Sequence, residues 1–264
     1  MFMHAVRAIA ALAFIALPAL GRAAERQDPC PPLLSSAAPR IIPAALGQKE
    51  VELTFVGHAT FLIETPGGVK IATDYNDYIR PDVVPDIATM NKAHSTHYSN
   101  HPDPGIKLIL RGWNPEGGPI HHDVRYGDMR IRNVTTNIRN WSGGTEYDAN
   151  SIFIFESAGL CIAHLGHLHH ELTPEHLAQL GRVDVVLVPV DGSYTLDQEG
   201  MFRVLKSINA PLMIPMHIFS DATLERFLAL ARETYPVDFA ASNHVTLSRD
   251  TLPSTPRILV LQGR

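Results

Sequence analysis

Eight of the 14 histidines fall in three short stretches: His94, His97 and His101 in AHSTHYSNH, His164, His167, His169 and His170 in AHLGHLHH, and His217 after the apolar run PLMIPM. Neutral imidazole is the commonest protein ligand for zinc and similar ions, so clusters on separate segments point to one gathered metal site. The chemistry open to such a site is hydrolysis, because a bound ion acidifies a water and polarises a carbonyl or phosphoryl oxygen. No Gly-x-Ser-x-Gly elbow occurs and neither cysteine has the setting of an activated nucleophile, which leaves water as the attacking group. Tyr98, beside the first cluster, is a candidate hydrogen-bond donor to the developing oxyanion, and His58 in VGHAT a candidate pocket or loop-orienting residue.

The elements that must position these residues are mainly strands. Runs of strand character cover 51–56, 60–64 and 69–73, the last two joined by the turn TPGG. Further strands are predicted at 106–110, 129–135, 151–156, 160–163, 183–190, 212–215 and 257–261. Thr173 and Pro174 mark a helix start, Leu224, Phe227, Leu228 and Ala231 recur at helical spacing, and 196–208 is predicted as a third helix. Early meanders, late strand–helix alternation and no fixed repeat imply a layered α+β or α/β domain, with sheets between helices. Each histidine cluster then falls where a loop leaves the sheet. Gly143 and Gly144 in WSGGTE, with no helix following, read as a flexible loop and not as a phosphate cradle.

The N-terminus predicts export. The apolar run 8–20 is too short to span a bilayer, and small residues flank Arg22, so residues 1–23 read as a cleaved signal peptide. Residues 24–48, rich in Pro and Ala, read as an extended leader, and 49–264 as one domain. The protein is expected to be exported, periplasmic in a Gram-negative source, with no stable membrane insertion after cleavage. Loss of Arg7 and Arg22 takes the formal charge from −5 to −7, and no Lys/Arg cluster stands out, which argues against nucleic-acid partners. A small-molecule substrate is expected; the oligomeric state is open. Of the two cysteines, Cys161 in the apolar LCIAHLG reads as an unpaired, buried small hydrophobe.

Taken in order, FVGHATFLIE with IATDY, THYSNH, AHLGHLHHELT, VDVVLVPVDGSYT and IPMH resemble the metallo-β-lactamase superfamily, and within it the branch of ascorbate-phosphate lactonases and N-acylphosphatidylethanolamine phospholipase D. The resemblance implies a four-layer αββα sandwich with the metal site at one edge between the sheets. It implies His97, His101, His164, His167 and His217 as ligands, with His94 replacing a first histidine where Ser95 stands. Asn100 falls where the family has a water-orienting aspartate, and His167 where it has a bridging carboxylate. Asn100 cannot act as a base, and two ions with few anions repel one another. Asp191 and Asp74 are the carboxylates available to compensate, Asp74 from behind the ligands, while His170 is assigned to the pocket wall. The implied function is hydrolysis of an ester, lactone or phosphodiester with one or two zinc ions, manganese and iron being alternatives. Iron-dependent oxidation and metal binding without catalysis are the competing readings.

Overall fold

A computed structural model describes residues 46–263. Residues 1–23, read above as a signal peptide, nearly all of the expected leader and Cys30 lie outside the described residues. Alternating apolar residues make the first three strands, β1 (Val51–Gly57), β2 (Thr60–Glu64) and β3 (Lys70–Ala72), followed by β4 (Ile87–Met90) and β5 (Leu108–Arg111). The next strands are β6 (Asp123–Tyr126), β7 (Met129–Arg139), β8 (Thr145–Ser157) and β9 (Leu160–His164). Strands and helices then alternate as α1 (Pro174–Leu180), β10 (Val185–Pro189), α2 (Gln198–Ile208), β11 (Leu212–Met216) and α3 (Asp221–Ala231). Three short strands follow, β12 (Val237–Phe239), β13 (His244–Leu247) and β14 (Arg257–Val260).

Among the described residues these strands form two mixed sheets, of order β13-β1-β2-β3-β4-β5 and β12-β14-β11-β10-β9-β8-β7-β6. The period of two sends alternate side chains to opposite faces, and β10 shows the result. Its Val185 and Leu187 enter the core between the sheets with Leu53, Phe61, Ile63, Phe153 and Ile214. Its Val186 and Val188 face Met201, Leu205, Phe227 and Leu228 of the helices. All three α-helices of the described residues bury side chains in this second cluster, so the eight-stranded sheet is covered on both faces. The layering is the sandwich that the resemblance implied, with its described helices on the eight-stranded side.

Thr173 caps α1 and Pro174 occupies its first turn, as expected. The last carbonyls of α1 are taken by Arg132, which donates to Gln179 O and Leu180 O and also to the buried Glu156. Missed by the sequence reading were β4, β6, β12 and β13; β7 and β8 also run several residues beyond the predicted limits. Cys161 departs from expectation too: it is disulfide-bonded, and no described cysteine is free. No helix among the described residues is long and apolar enough to cross a membrane.

Candidate metal centre

The site lies where strands end. His58 occupies the turn between β1 and β2, His94 and His97 the loop after β4, His167 the loop after β9, and His217 directly follows β11. Six non-glycine residues among the described ones have positive φ, and three of them belong here: His58 (52°), Asp74 (40°) and His217 (57°). Left-handed backbone costs energy outside glycine, and such strain gathers at functional sites. The His217 N–H donates to His58 O at 2.6 Å, so the two strained turns hold each other.

Four imidazoles converge. One ring nitrogen each from His58, His94, His97 and His217 lies within 4.8 Å of all the others. Nε2 of His97 and Nε2 of His217 are 3.2 Å apart. Two imidazole ligands of one tetrahedral zinc, each at ~2.0–2.1 Å, are separated by about 3.3–3.4 Å, so this spacing suits a shared cation. Nε2 of His94 and Nε2 of His167 are 3.0 Å apart, within hydrogen-bond distance. Nε2 of His58 is buried without a hydrogen-bond partner, a costly state that a cation would relieve. These residues fit a metal ion.

Protonation states agree with that fit. Burial, reinforced by His217 and His94, holds His58 at about 3, and burial with His217 holds His94 at about 4. Burial and the surrounding imidazoles also keep His97 and His167 well below the ordinary histidine value. All are therefore neutral near pH 7, each with a single lone pair whose direction depends on which ring nitrogen bears the proton.

Two buried carboxylates stand behind the cluster. Asp74 Oδ2 is 2.5 Å from His97 Nδ1 and Asp191 Oδ1 is 2.9 Å from His217 Nδ1. A carboxylate on Nδ1 keeps the proton there, turns the Nε2 lone pair outward and raises its basicity. Burial pushes Asp74 up to about 6, although His164 and the Asn91 amide act against it. Burial also acts to raise Asp191, but hydrogen bonds from His217, Thr195 and Ser193 outweigh it and hold the carboxyl below its usual range.

The remaining sequence candidates are placed as follows. His164 is fully buried with both ring nitrogens engaged, Nε2 at 2.8 Å from Ala59 O and Nδ1 accepting from Gly166 N, so it has no lone pair to give an ion. His101 is exposed and not among the four converging rings, its carbonyl accepting from Arg80, and Asn100 is exposed beside it. Tyr98 packs on Trp113 at a ring distance of 5.8 Å, in an apolar cluster with Ala72 and Met90, where it cannot serve an oxyanion at the histidines. His170 is half-buried with its ring 6.4 Å from that of His169. His58, assigned only to the pocket, is instead one of the four converging rings.

Sequence reasoning counted His169 in its cluster without giving it a role, and passed over Thr96, Asn91 and Asn150. His169 Nε2 lies 2.6 Å from His167 Nδ1, and Thr96 Oγ1 lies 2.8 Å from His94 Nδ1. Asn150 Oδ1 accepts the His167 N–H, and Asn91 donates to Asp74. A Cβ at Gly166 (φ 60°) would stand 2.5 Å from Asn150 Oδ1 and from Asn91 Nδ2, which explains the glycine before His167. That glycine was the available signal.

A cavity of about 330 Å³ opens on the cluster, with His94 and His167 in its wall beside Tyr194, Trp141 and Arg139. Tyr194 and Trp141 make that wall partly aromatic, and Phe219, half exposed, lies with its ring 5.2 Å from that of Tyr194 and 5.0 Å from that of His217.

Comparison with known proteins gives the family. A family profile described as a beta-lactamase superfamily domain matches residues 52–217. A UPF0173 metal-dependent hydrolase of Carboxydothermus hydrogenoformans is 27% identical over 195 residues, which cover 63% of this chain and 84% of the relative. One from Thermoplasma acidophilum is 30% identical over 113 residues, 41% of this chain and 50% of that protein. A crystal structure from Thermotoga maritima, described as a Zn-dependent hydrolase of the metallo-β-lactamase superfamily, superposes with a TM-score of 0.57 at 28% identity, covering 81% of this chain and 100% of its own. With the profile spanning more than half of its length, this chain belongs to the beta-lactamase superfamily domain family, and its similar relatives are named as metal-dependent hydrolases.

Proposed function

We propose that the chain is an exported metal-dependent hydrolase that cleaves an ester, lactone or phosphodiester bond of a small substrate, with His58, His94, His97 and His217 holding zinc. The observation that carries the reading is the convergence of four imidazoles, two of them with buried carboxylates behind them. A zinc ion bound there would bring a water's pKa from ~16 to near 7 and polarise the scissile oxygen. Asp74 holds a proton on Nδ1 of His97, fixing that ring in the orientation that faces the ion, and Asp191 places a carboxylate oxygen 2.9 Å from Nδ1 of His217.

The two carboxylates also answer the charge problem of the sequence. Negative charge missing at Asn100 and His167 is supplied one layer back, by Asp74 and Asp191, where it is insulated from water. The aromatic residues of the cavity wall, Tyr194 and Trp141, favour a substrate with an apolar portion, and the cavity volume favours a small one. Export is supported by the apolar N-terminal run and by the disulfide at Cys161, a bond typical of oxidising compartments.

Metal analysis of protein purified without chelator or affinity tag, followed by a panel of esters, lactones and phosphodiesters, tests the reading. The expected result is stoichiometric zinc with turnover on at least one class. Iron with oxygen consumption, or tight metal with no turnover, would overturn it, and manganese with turnover would correct the ion alone.

A further inference from the structure

We propose that His167 is a fixed hydrogen-bond donor to the substrate oxygen and not a metal ligand, its proton held on Nε2 by a one-way chain of hydrogen bonds that begins at the backbone N–H of Arg139. This inference rests on the hydrolytic reading above. The chain can be followed atom by atom. Arg139 N donates to His169 Nδ1 at 2.9 Å, and a backbone N–H cannot accept, so the polarity of that bond is fixed. His169 Nδ1 is therefore a lone pair, and the neutral ring carries its proton on Nε2. Nε2 of His169 meets Nδ1 of His167 at 2.6 Å and must donate to it. His167 in turn carries its proton on Nε2, 3.0 Å from His94 Nε2. His94 accepts there and carries its own proton on Nδ1, 2.8 Å from Thr96 Oγ1, where the chain ends.

The consequence separates the two rings. Nε2 of His94 has a lone pair to give an ion, and His94 is among the four converging histidines. Nε2 of His167 has none to give. A His94 lone pair engaged by an ion no longer accepts, so the His167 N–H is left for an oxygen of the substrate. Both rings line the cavity with the partly aromatic wall, and His167 is held in place by Asn150 through its own backbone N–H. Preorganised donors of this kind, aimed where charge develops in a water-poor site, are among the strongest catalytic devices. His169 is then a positioning residue: it sets which nitrogen of His167 bears the proton.

Cadmium-113 loaded into the full-length, nitrogen-15 histidine-labelled protein provides the test. Direct cadmium–nitrogen coupling is expected at Nε2 of His97 and His217, and at His167 no coupling with a protonated Nε2. Coupling at His167 Nε2 would overturn the donor assignment, whereas no coupling at His97 or His217 would overturn the metal site itself, so the two failures are distinguishable. Variants supply a second readout once a substrate is found. His167→Phe should lower kcat roughly 10²–10³-fold, as expected for loss of one oxyanion donor, with zinc per chain unchanged. His169→Gln, which can accept from Arg139 and donate to His167, should retain both the Nε2 proton and the rate, and His169→Phe should lose both. Loss of zinc in His167→Phe, or equal rates in the two His169 variants, would overturn the proposal.

Discussion

Two pairs of imidazoles meet at this site at almost the same distance, 3.2 Å for His97 and His217 and 3.0 Å for His94 and His167, yet what stands behind them differs. The first pair is backed by buried carboxylates, Asp74 and Asp191. The second is backed by neutral groups, the Thr96 hydroxyl and the His169 ring. A carboxylate raises the basicity of the far nitrogen and makes it a better ligand, whereas a neutral backing only chooses the tautomer. In the first pair both rings are thus placed to hold a cation, whereas in the second only His94 converges with them and His167 lies beside it.

The largest expected effect comes from breaking the carboxylate-backed pair. His97→Ala together with His217→Ala should abolish stoichiometric zinc, measured by mass spectrometry of metal per chain, and bring hydrolysis to background. Unchanged metal content would mean that the ion sits elsewhere. Asp74→Asn and Asp191→Asn test the backing with shape preserved: each should weaken zinc affinity about 10–100-fold in a competition titration against a chelator. Equal losses on changing Asp191 and on changing Thr96 would erase the distinction between the pairs.

The location of this site was legible in the sequence, but its internal division was not. Histidines after β9 and β11 announced strand ends meeting at one edge, because side-chain period and apolar runs reveal where a strand stops. They do not reveal which way a ring turns. His164 looked like a ligand, yet the Ala59 carbonyl, 105 residues earlier, captures its Nε2. His58 joins the cluster through a left-handed turn that no local pattern predicts. Asp74 and Asp191 reach their histidines across 23 and 26 residues of chain, pairings made only by sheet order. Among the strands, buried β10 and β11 read as continuous apolar runs, whereas β12 and β13 are edge strands of only three and four residues, largely exposed. Edge strands depend on pairing partners, and these lie far away in sequence.

An intermediate effect is expected from pH. The depressed values of His58, His94, His97, His167 and His169 mean that the unfolded chain takes up protons first as pH falls below ~6.5. Their contribution is fully present above that pH and is lost as pH falls toward 4. Asp74, raised to about 6, acts in the opposite sense over the same window, but it is outnumbered. Metal-stripped protein should therefore melt at progressively lower temperature between pH 7 and 4 in a calorimetric series. A flat profile would show that the rings are not held neutral by burial.

The smallest effect is expected at the neutral end of the second pair. Thr96 is only partly buried, and its hydroxyl accepts the Nδ1 proton of His94 where water can take its place. Thr96→Val removes that acceptor while keeping the side-chain shape. One hydrogen bond between neutral groups is worth ~0.5–1.5 kcal/mol, which corresponds to a loss of about two- to tenfold in zinc affinity. Water at the partly exposed position places the expectation at the lower end. Since no charge is lost, the shift should be nearly independent of salt, whereas Asp191→Asn removes an anion from the edge of the site. A Thr96→Val loss as large as that of Asp191→Asn would mean that the His94 tautomer, and not the charge behind His217, governs how tightly the cation is held.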